Sequence, residues 1–224
     1  MSTLGATRSA KALSAQVRQC IEDLIMSGEL GAGDRVNENA LASEFNVSSG
    51  PVREAVQALA EAGLLTIKRN RGAFVREISL EDVLHVYDLR AGLARVSGRL
   101  AALRATPSGI SRLETLWADM EEAREQRQFD NYYNINREFH RCIVLMTGNP
   151  RLIECHEQTE REVFLFLRRG VTGPTRIDTS NRQHREMLDA IASGAELEAA
   201  RAFECHVIAG KQRMLDTVVS PIGR

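Results

Sequence analysis

The stretch Val47-Ser48-Ser49-Gly50-Pro51-Val52-Arg53-Glu54-Ala55-Val56-Gln57-Ala58-Leu59 decides how the first third of the chain is read. Ser48 is suited to cap a helix with its hydroxyl, and Pro51 falls in the first turn, where a missing N–H is harmless. Val52, Val56 and Leu59 recur at helical spacing and predict an inward face. Ser49, Arg53 and Gln57, four apart, line the opposite face. A helix of this kind suits a DNA major groove, where Arg and Gln can read base edges.

The flanks extend the same unit. Val17, Ile21, Leu24 and Ile25 form an apolar stripe on a first helix that stops at Gly28, and Asn37 can cap a second helix through Leu41, Ala42 and Phe45. A turn over Asn46–Ser49 then leads into the quoted helix. Beyond Gly63, the runs 64–68 and 73–76 read as two short strands around Arg69-Asn70-Arg71-Gly72, with Gly72 able to take a positive φ. The predicted unit is a winged helix-turn-helix over residues 13–76 with a basic wing tip, preceded by a loose arm over residues 1–12.

Composition agrees with two domains. A chain of 224 residues, 43% apolar, can fill two medium cores. The net charge of -1 excludes a wholly basic nucleic-acid binder. Residues 47–76 nevertheless carry Arg53, Lys68, Arg69, Arg71 and Arg76 against only Glu54 and Glu61, so positive charge collects where phosphate contacts are needed. Cys20, Cys142, Cys155 and Cys205 show no Cys-x-x-Cys pair and read as reduced core thiols. Neither a membrane span nor a signal peptide is apparent, and the expected compartment is the cytoplasm.

A boundary falls near Glu77-Ile78-Ser79, after which the patterning is helical throughout. Six helices are expected over residues 79–219: one from Leu80 to Thr106 with a break near Gly92, one from Pro107 with Ile110, Leu113, Trp117 and Met120 on its stripe, one from Phe129 to Gly148, one from Asn149-Pro150 to Arg169, and, after a loop at Gly170–Pro174, two more over 179–193 and 195–218. The fold class is therefore mainly α, a winged helix-turn-helix followed by an all-α bundle.

Asn136 and His140 share a helix face with Tyr132, Tyr133 and Ile143, which marks that face as inward. His184 and His206 each lie beside apolar positions on later helices. Three imidazoles and an amide oxygen converging in a bundle core can hold a divalent metal with open positions. Taken one at a time, each reads more often as a core histidine satisfied by a hydrogen bond than as a ligand. Cys142 and Cys205, near His140 and His206, are further soft-ligand candidates, against a reading as small hydrophobes.

The N-terminal motifs Gly28-Glu29-Leu30, Gly33, Leu41-Ala42, Val47-Ser48, Pro51-Val52-Arg53-Glu54-Ala55, Gly63-Leu64 and Arg71-Gly72-Ala73-Phe74-Val75 resemble, in order, those of the GntR superfamily of bacterial transcription regulators. The second half, through Asn136-Arg137-Glu138-Phe139-His140, Gln183-His184-Arg185 and Cys205-His206, resembles the helical effector domain of its FadR-like subgroup, of FCD type. The resemblance implies DNA contacts from Asn39, Ser48, Ser49, Gly50, Arg53, Gln57, Arg69, Arg71 and Gly72. It also implies a metal at Asn136, His140, His184 and His206, with Zn or Ni suited to an imidazole-rich set. Arg90 matches an Arg that reaches the ligand cavity of similar domains; its other reading is an ion pair with Glu138 or Glu186. Ser49 and Asn39 stand where the family often has Arg, and Ala94 where it often has Glu.

The implied protein is not an enzyme but a ligand-responsive regulator, most simply a repressor. Its partners are double-stranded operator DNA, a small organic acid and a second copy bound through the helical half, with no membrane. A neutral Asn-His₃ set would leave a metal its full double charge, which welcomes a carboxylate. A regulator that senses metal alone, or a metalloenzyme tethered to DNA, are the alternatives, and no general base or nucleophile stands out beside the histidines to support the latter.

Overall fold

The computed structural model describes residues 3–167 and 177–219, with side chains from 12 to 167 and 177 to 218. It divides into two compact units. One runs to Leu80 and takes in the end of a later helix from Arg161; the other holds Glu81–Glu160 and the last two helices.

In the first unit, α1 (Thr3–Ser27) buries Val17, Ile21 and Ile25, spaced by four. Its backbone is helical from Thr3, through the stretch expected to be a loose arm, where Ala6, Ala10, Ala12 and Ala15 supply high helix propensity. α2 (Glu38–Glu44) is capped by Asn37, whose Oδ1 accepts from the Ala40 N–H at 3.1 Å. Asn46, at φ 50, turns the chain into α3 (Ser49–Glu61), which buries Pro51, Val52, Ala55, Val56 and Leu59. Ser48 occupies the N-cap in an extended conformation, yet its hydroxyl makes no capping bond, contrary to expectation. The amides of that first turn therefore stay open to solvent or to another acceptor.

The wing is an antiparallel pair, β1 (Leu65–Lys68) and β2 (Gly72–Val75), in register Leu65↔Val75 through Lys68↔Gly72. Asn70 and Gly72, at φ 59 and 96, make its tight tip. The chain before α2 lies along β2, with the Val36 N–H donating to the Ala73 carbonyl at 2.9 Å and the Val75 N–H to that of Asp34 at 2.9 Å.

The second unit contains α4 (Leu80–Arg104), α5 (Pro107–Glu125), α6 (Phe129–Met146), α7 (Pro150–Leu167, of which residues through Glu160 belong here), α8 (Ile177–Ala192) and α9 (Glu196–Val219). The expected loop at Gly170–Pro174 lies outside the described residues. α4 passes through Gly92 unbroken, because one glycine costs only about 1 kcal/mol in a helix this long. Thr106 Oγ1 caps α5 by accepting from the Gly109 N–H at 3.2 Å, and Pro107 opens the helix as expected. The α5 stripe runs through Leu113, Leu116, Met120 and Ala123; Ile110 and Trp117 are only half-buried.

α4 and α9 run antiparallel, linked by Arg95 to Glu204 at 2.6 Å, Arg99 to Glu196 at 3.3 Å and Lys211 to Asp88 at 2.5 Å. They meet at Gly98, where a Cβ would collide with the Ala199 carbonyl. Only glycine permits that approach. Phe139, Ile143, Met187, Leu188 and Phe203 fill the core beside the histidines.

Candidate functional site

Two sets of side chains stand apart in character. The first is the surface of the winged unit. Because α3 turns its valines and Leu59 inward, Ser49, Gly50, Arg53 and Gln57 are exposed along its other face, with Ser48 just ahead. Gln57 Nε2 donates to Glu61 Oε1 at 3.1 Å, a bond that base contact would have to displace. Asn39 is exposed on α2, and Arg69 and Arg71 flank the wing tip. Arg35, unremarked in the sequence, lies over Gly72, where a Cβ would stand 3.2 Å from its Nε. Lys68 sits over the Phe74 ring at 4.7 Å. The wing is thus more basic than its two arginines.

The second set lies within the helical unit. His140 of α6, His184 of α8 and His206 of α9 place one ligand nitrogen each within 4.8 Å of the others. Ring centroids are 5.1 Å apart for His140 and His184, 4.9 Å for His140 and His206, and 4.5 Å for His184 and His206. Burial holds all three well below the usual imidazole range, and neighbouring imidazoles and Arg213 push the same way. They are neutral at neutral pH and offer lone pairs.

Two amides decide where those lone pairs point. Asn181 Nδ2 donates to Glu121 Oε1 at 2.6 Å, so its Oδ1 faces His184 Nδ1 at 3.3 Å as an acceptor. His184 must then carry its proton on Nδ1 and leave Nε2 bare. Gln183 Oε1 accepts from Arg213 Nη1 at 3.3 Å and faces His206 Nδ1 at 3.1 Å, which imposes the same tautomer on His206. His184 Nε2 and His140 Nδ1 are sealed from solvent and have no hydrogen-bond partner. A buried polar atom left so costs about 1–3 kcal/mol. A divalent cation would satisfy both, and the donor set fits a Zn- or Ni-like ion.

Asn136 lies one turn before His140 on α6, half-buried; Tyr132 and Ile143 of that face are buried, but Tyr133 is exposed, which narrows the inward face from the one expected. Arg90 of α4 pairs with neither Glu138 nor Glu186, both of which are exposed. Its Nε and Nη1 are sealed without partners. Burial lowers its pKa, against the pull of Tyr87 and Glu160. The cysteines are free but not core thiols: Cys155 and Cys205 are exposed, Cys20 and Cys142 half-buried, and none joins the histidine cluster.

Sequence reasoning missed the roles of Asn181, Gln183, Glu121 and Arg213, and passed over His156 of α7. Asn181 stands three residues before His184, so the spacing of a shared helix face was available. The others depend on contacts between helices. His156 is buried, and burial followed by Arg90 lowers its pKa to about 3.

No described helix is long and apolar enough to cross a membrane. Family models for "Bacterial regulatory proteins, gntR family" and for the FCD domain match residues 13–75 and 85–209. The chain is 30% identical to the Nta operon transcriptional regulator of Aminobacter aminovorans, over 78% of this chain and 81% of that protein. It is 28% identical to the "Probable D-xylose utilization operon transcriptional repressor" of Paenarthrobacter nicotinovorans, over 88% and 86%. The fold is that of E. coli McbR/YncC, with a TM-score of 0.78 at 20% identity, covering 92% of this chain and 98% of the other.

Proposed function

Because the chain belongs to the GntR family of DNA-binding bacterial transcription regulators, with an FCD domain as its second half, we propose that it is a repressor whose operator affinity is set by a carboxylate bound beside a metal. The observation that carries this reading is the convergence of three neutral imidazoles, two of them with sealed and unpartnered nitrogens. His140, His184 and His206 hold the ion, with the Asn136 amide oxygen as a fourth donor. The bound metal supplies concentrated positive charge at which a carboxylate can anchor. Arg90 attracts the same anion, which favours an organic-acid effector over metal sensing alone.

Arg53 and Gln57 read base edges while Asn39, Ser48, Ser49, Gly50, Arg69, Arg71 and Gly72 hold the backbone and the groove walls. The regulator acts as a homodimer through its helical half. Leu89, Val96 and Leu103 of α4 repeat every seven residues and are 56%, 43% and 55% exposed, a stripe suited to a second copy. Two winged units at one separation match two half-sites, and an effector that repacks the dimer alters that separation.

The test is an operator-binding titration, on a fragment located by footprinting, of the wild type, His184→Ala and His206→Ala. The variants are expected to lose metal by elemental analysis and to lose the effector response, while binding operator as the wild type does. A metal-stripped wild type that still responds fully to its effector would defeat the reading.

A further inference from the structure

We propose that Arg35, in the segment before α2, contacts the phosphate backbone of duplex DNA, and that with Lys68 it makes the outer face of the wing a phosphate clamp. The inference rests on the DNA binding of the family and is independent of the metal and the effector.

The backbone fixes where Arg35 stands. Residues 33–36 lie along β2 as a third strand would: Arg35 pairs with Phe74, and on either side the Val36 N–H donates to the Ala73 carbonyl and the Val75 N–H to that of Asp34, both at 2.9 Å. Side chains alternate across a sheet, so Arg35 shares a face with Phe74 and Gly72, while Val36, Ala73 and Val75 turn into the core. In the register of β1, Thr66 is opposite Phe74 and Lys68 opposite Gly72, which places both on that same face. Arg35, Thr66 and Lys68 are exposed there, Gly72 and Phe74 half-buried, and none of the five is acidic.

Two cations overhang this face from opposite edges. Lys68 Nζ lies 4.7 Å from the centre of the Phe74 ring. Arg35 leans over Gly72, where a β-carbon would stand 3.2 Å from Nε and 3.4 Å from Nη2. The tight tip requires glycine at φ 96, and the same missing side chain leaves the room that the guanidinium takes.

Arg35 is not spent within the fold. It makes no hydrogen bond or ion pair with any described residue, and the neighbouring acid, Asp34, accepts from the Gly31 N–H through Oδ2 at 2.8 Å. Arg76, two residues beyond Phe74, is the contrast: it pairs with Glu162 at 3.4 Å. The fork of Arg35 is left to water until a phosphate supplies two acceptors. Its place on an edge segment, off the recognition helix, suits the DNA backbone and not the base edges.

The experiment measures binding of the full chain by anisotropy, over a salt series, to a footprinted operator and to a duplex of scrambled sequence. Arg35→Ala is expected to weaken both by a similar factor, about tenfold at low salt, and to reduce the slope of log affinity against log salt by about 0.9, the share of one phosphate. Arg35→Gln, which keeps length and polarity without charge, should match that slope, and Arg35→Lys should keep the wild-type slope. Arg112→Ala, which removes an exposed arginine of α5, controls for net charge and should leave the slope unmoved. Circular-dichroism melts check that each variant is folded. An unchanged slope in Arg35→Ala and Arg35→Gln, a loss confined to the operator, or an equal fall in Arg112→Ala would overturn the contact.

Discussion

The winged unit and the helical unit prepare for their partners in opposite ways. Every buried side chain between residues 12 and 80 is apolar, and the residues suited to DNA lie on the surface, where water satisfies them until phosphate replaces it. The helical unit instead buries His140, His156, His184 and His206, half-buries Arg90, and leaves several of their nitrogens sealed and unpartnered. Its core carries a polar debt that a ligand can discharge. A surface site can be altered without touching stability; a core site couples occupancy to stability, which is what a sensor requires.

The largest expected effect separates the units by pH. An unfolded histidine titrates at the ordinary 6.5, whereas His156 in the folded chain titrates at about 3. Between these values the unfolded chain binds a proton that the folded one refuses. The contribution is full above 6.5 and is lost as pH falls towards 3, at about 1.4 kcal/mol per pH unit for this one group. His140, His184 and His206 shift in the same direction. Urea melts of metal-free full chain at pH 7 and pH 5, followed through the single tryptophan, Trp117 on α5, should show the helical unit losing several kcal/mol. A Trp117 transition that hardly moves would mean the imidazoles are hydrated and the contrast between the units fails.

The surface site should behave conversely. Arg53→Ala is expected to weaken operator binding by about 1–3 kcal/mol, because an Arg contact in the groove is charge-assisted, and to leave the melting curve unchanged. An anisotropy titration on a footprinted operator with unaltered affinity would remove Arg53 from the interface.

Within the helical unit, Asn181→Leu tests whether the tautomer of His184 matters. Losing the acceptor for Nδ1–H should lower zinc affinity about 10- to 100-fold, as measured by chelator competition, with operator binding in the absence of effector unchanged. Unchanged zinc affinity would mean His184 does not need its Asn181 bond to present Nε2.

The smallest effect is the most discriminating. Asn136→Asp adds a negative charge beside the proposed ion, so zinc should bind more tightly and a carboxylate more weakly, each by less than about tenfold. A lower melting temperature with both affinities unmoved would take Asn136 out of the site.

Much of this architecture was legible in the residues because its signals are local. Asn37 as a cap, the alternation of Val52, Val56 and Leu59 against Arg53 and Gln57, and the Asn70–Gly72 wing tip each depend on neighbours within a few positions. Local rules also misled. Gly92 reads as a break and Ser48 as a side-chain cap, yet α4 is continuous and the Ser48 hydroxyl is uncommitted to the helix, since packing and rotamer choice override propensity at single residues. His140, His184 and His206 could be nominated from their apolar helix neighbours. His156 could not, because nothing beside it in the chain separates it from an ordinary polar position.

By itself, then, the order of residues determined which segments are helices and wing, which faces carry charge, and which three histidines are candidates to meet, because periodicity and capping act over one or two turns. Only the tertiary structure decided that the end of α7 from Arg161 groups with the winged unit, where Arg161 Nε donates to the Ala62 carbonyl at 3.2 Å and Glu162 pairs with Arg76 at 3.4 Å. Only it decided that Glu121 and Arg213 set the tautomers of His184 and His206 through Asn181 and Gln183, and that Arg90 Nε and Nη1 and His156 Nε2 are sealed without partners. Those outcomes turn on desolvation and on hydrogen-bond partners drawn from helices far apart in the chain, and neither quantity exists until the helices pack.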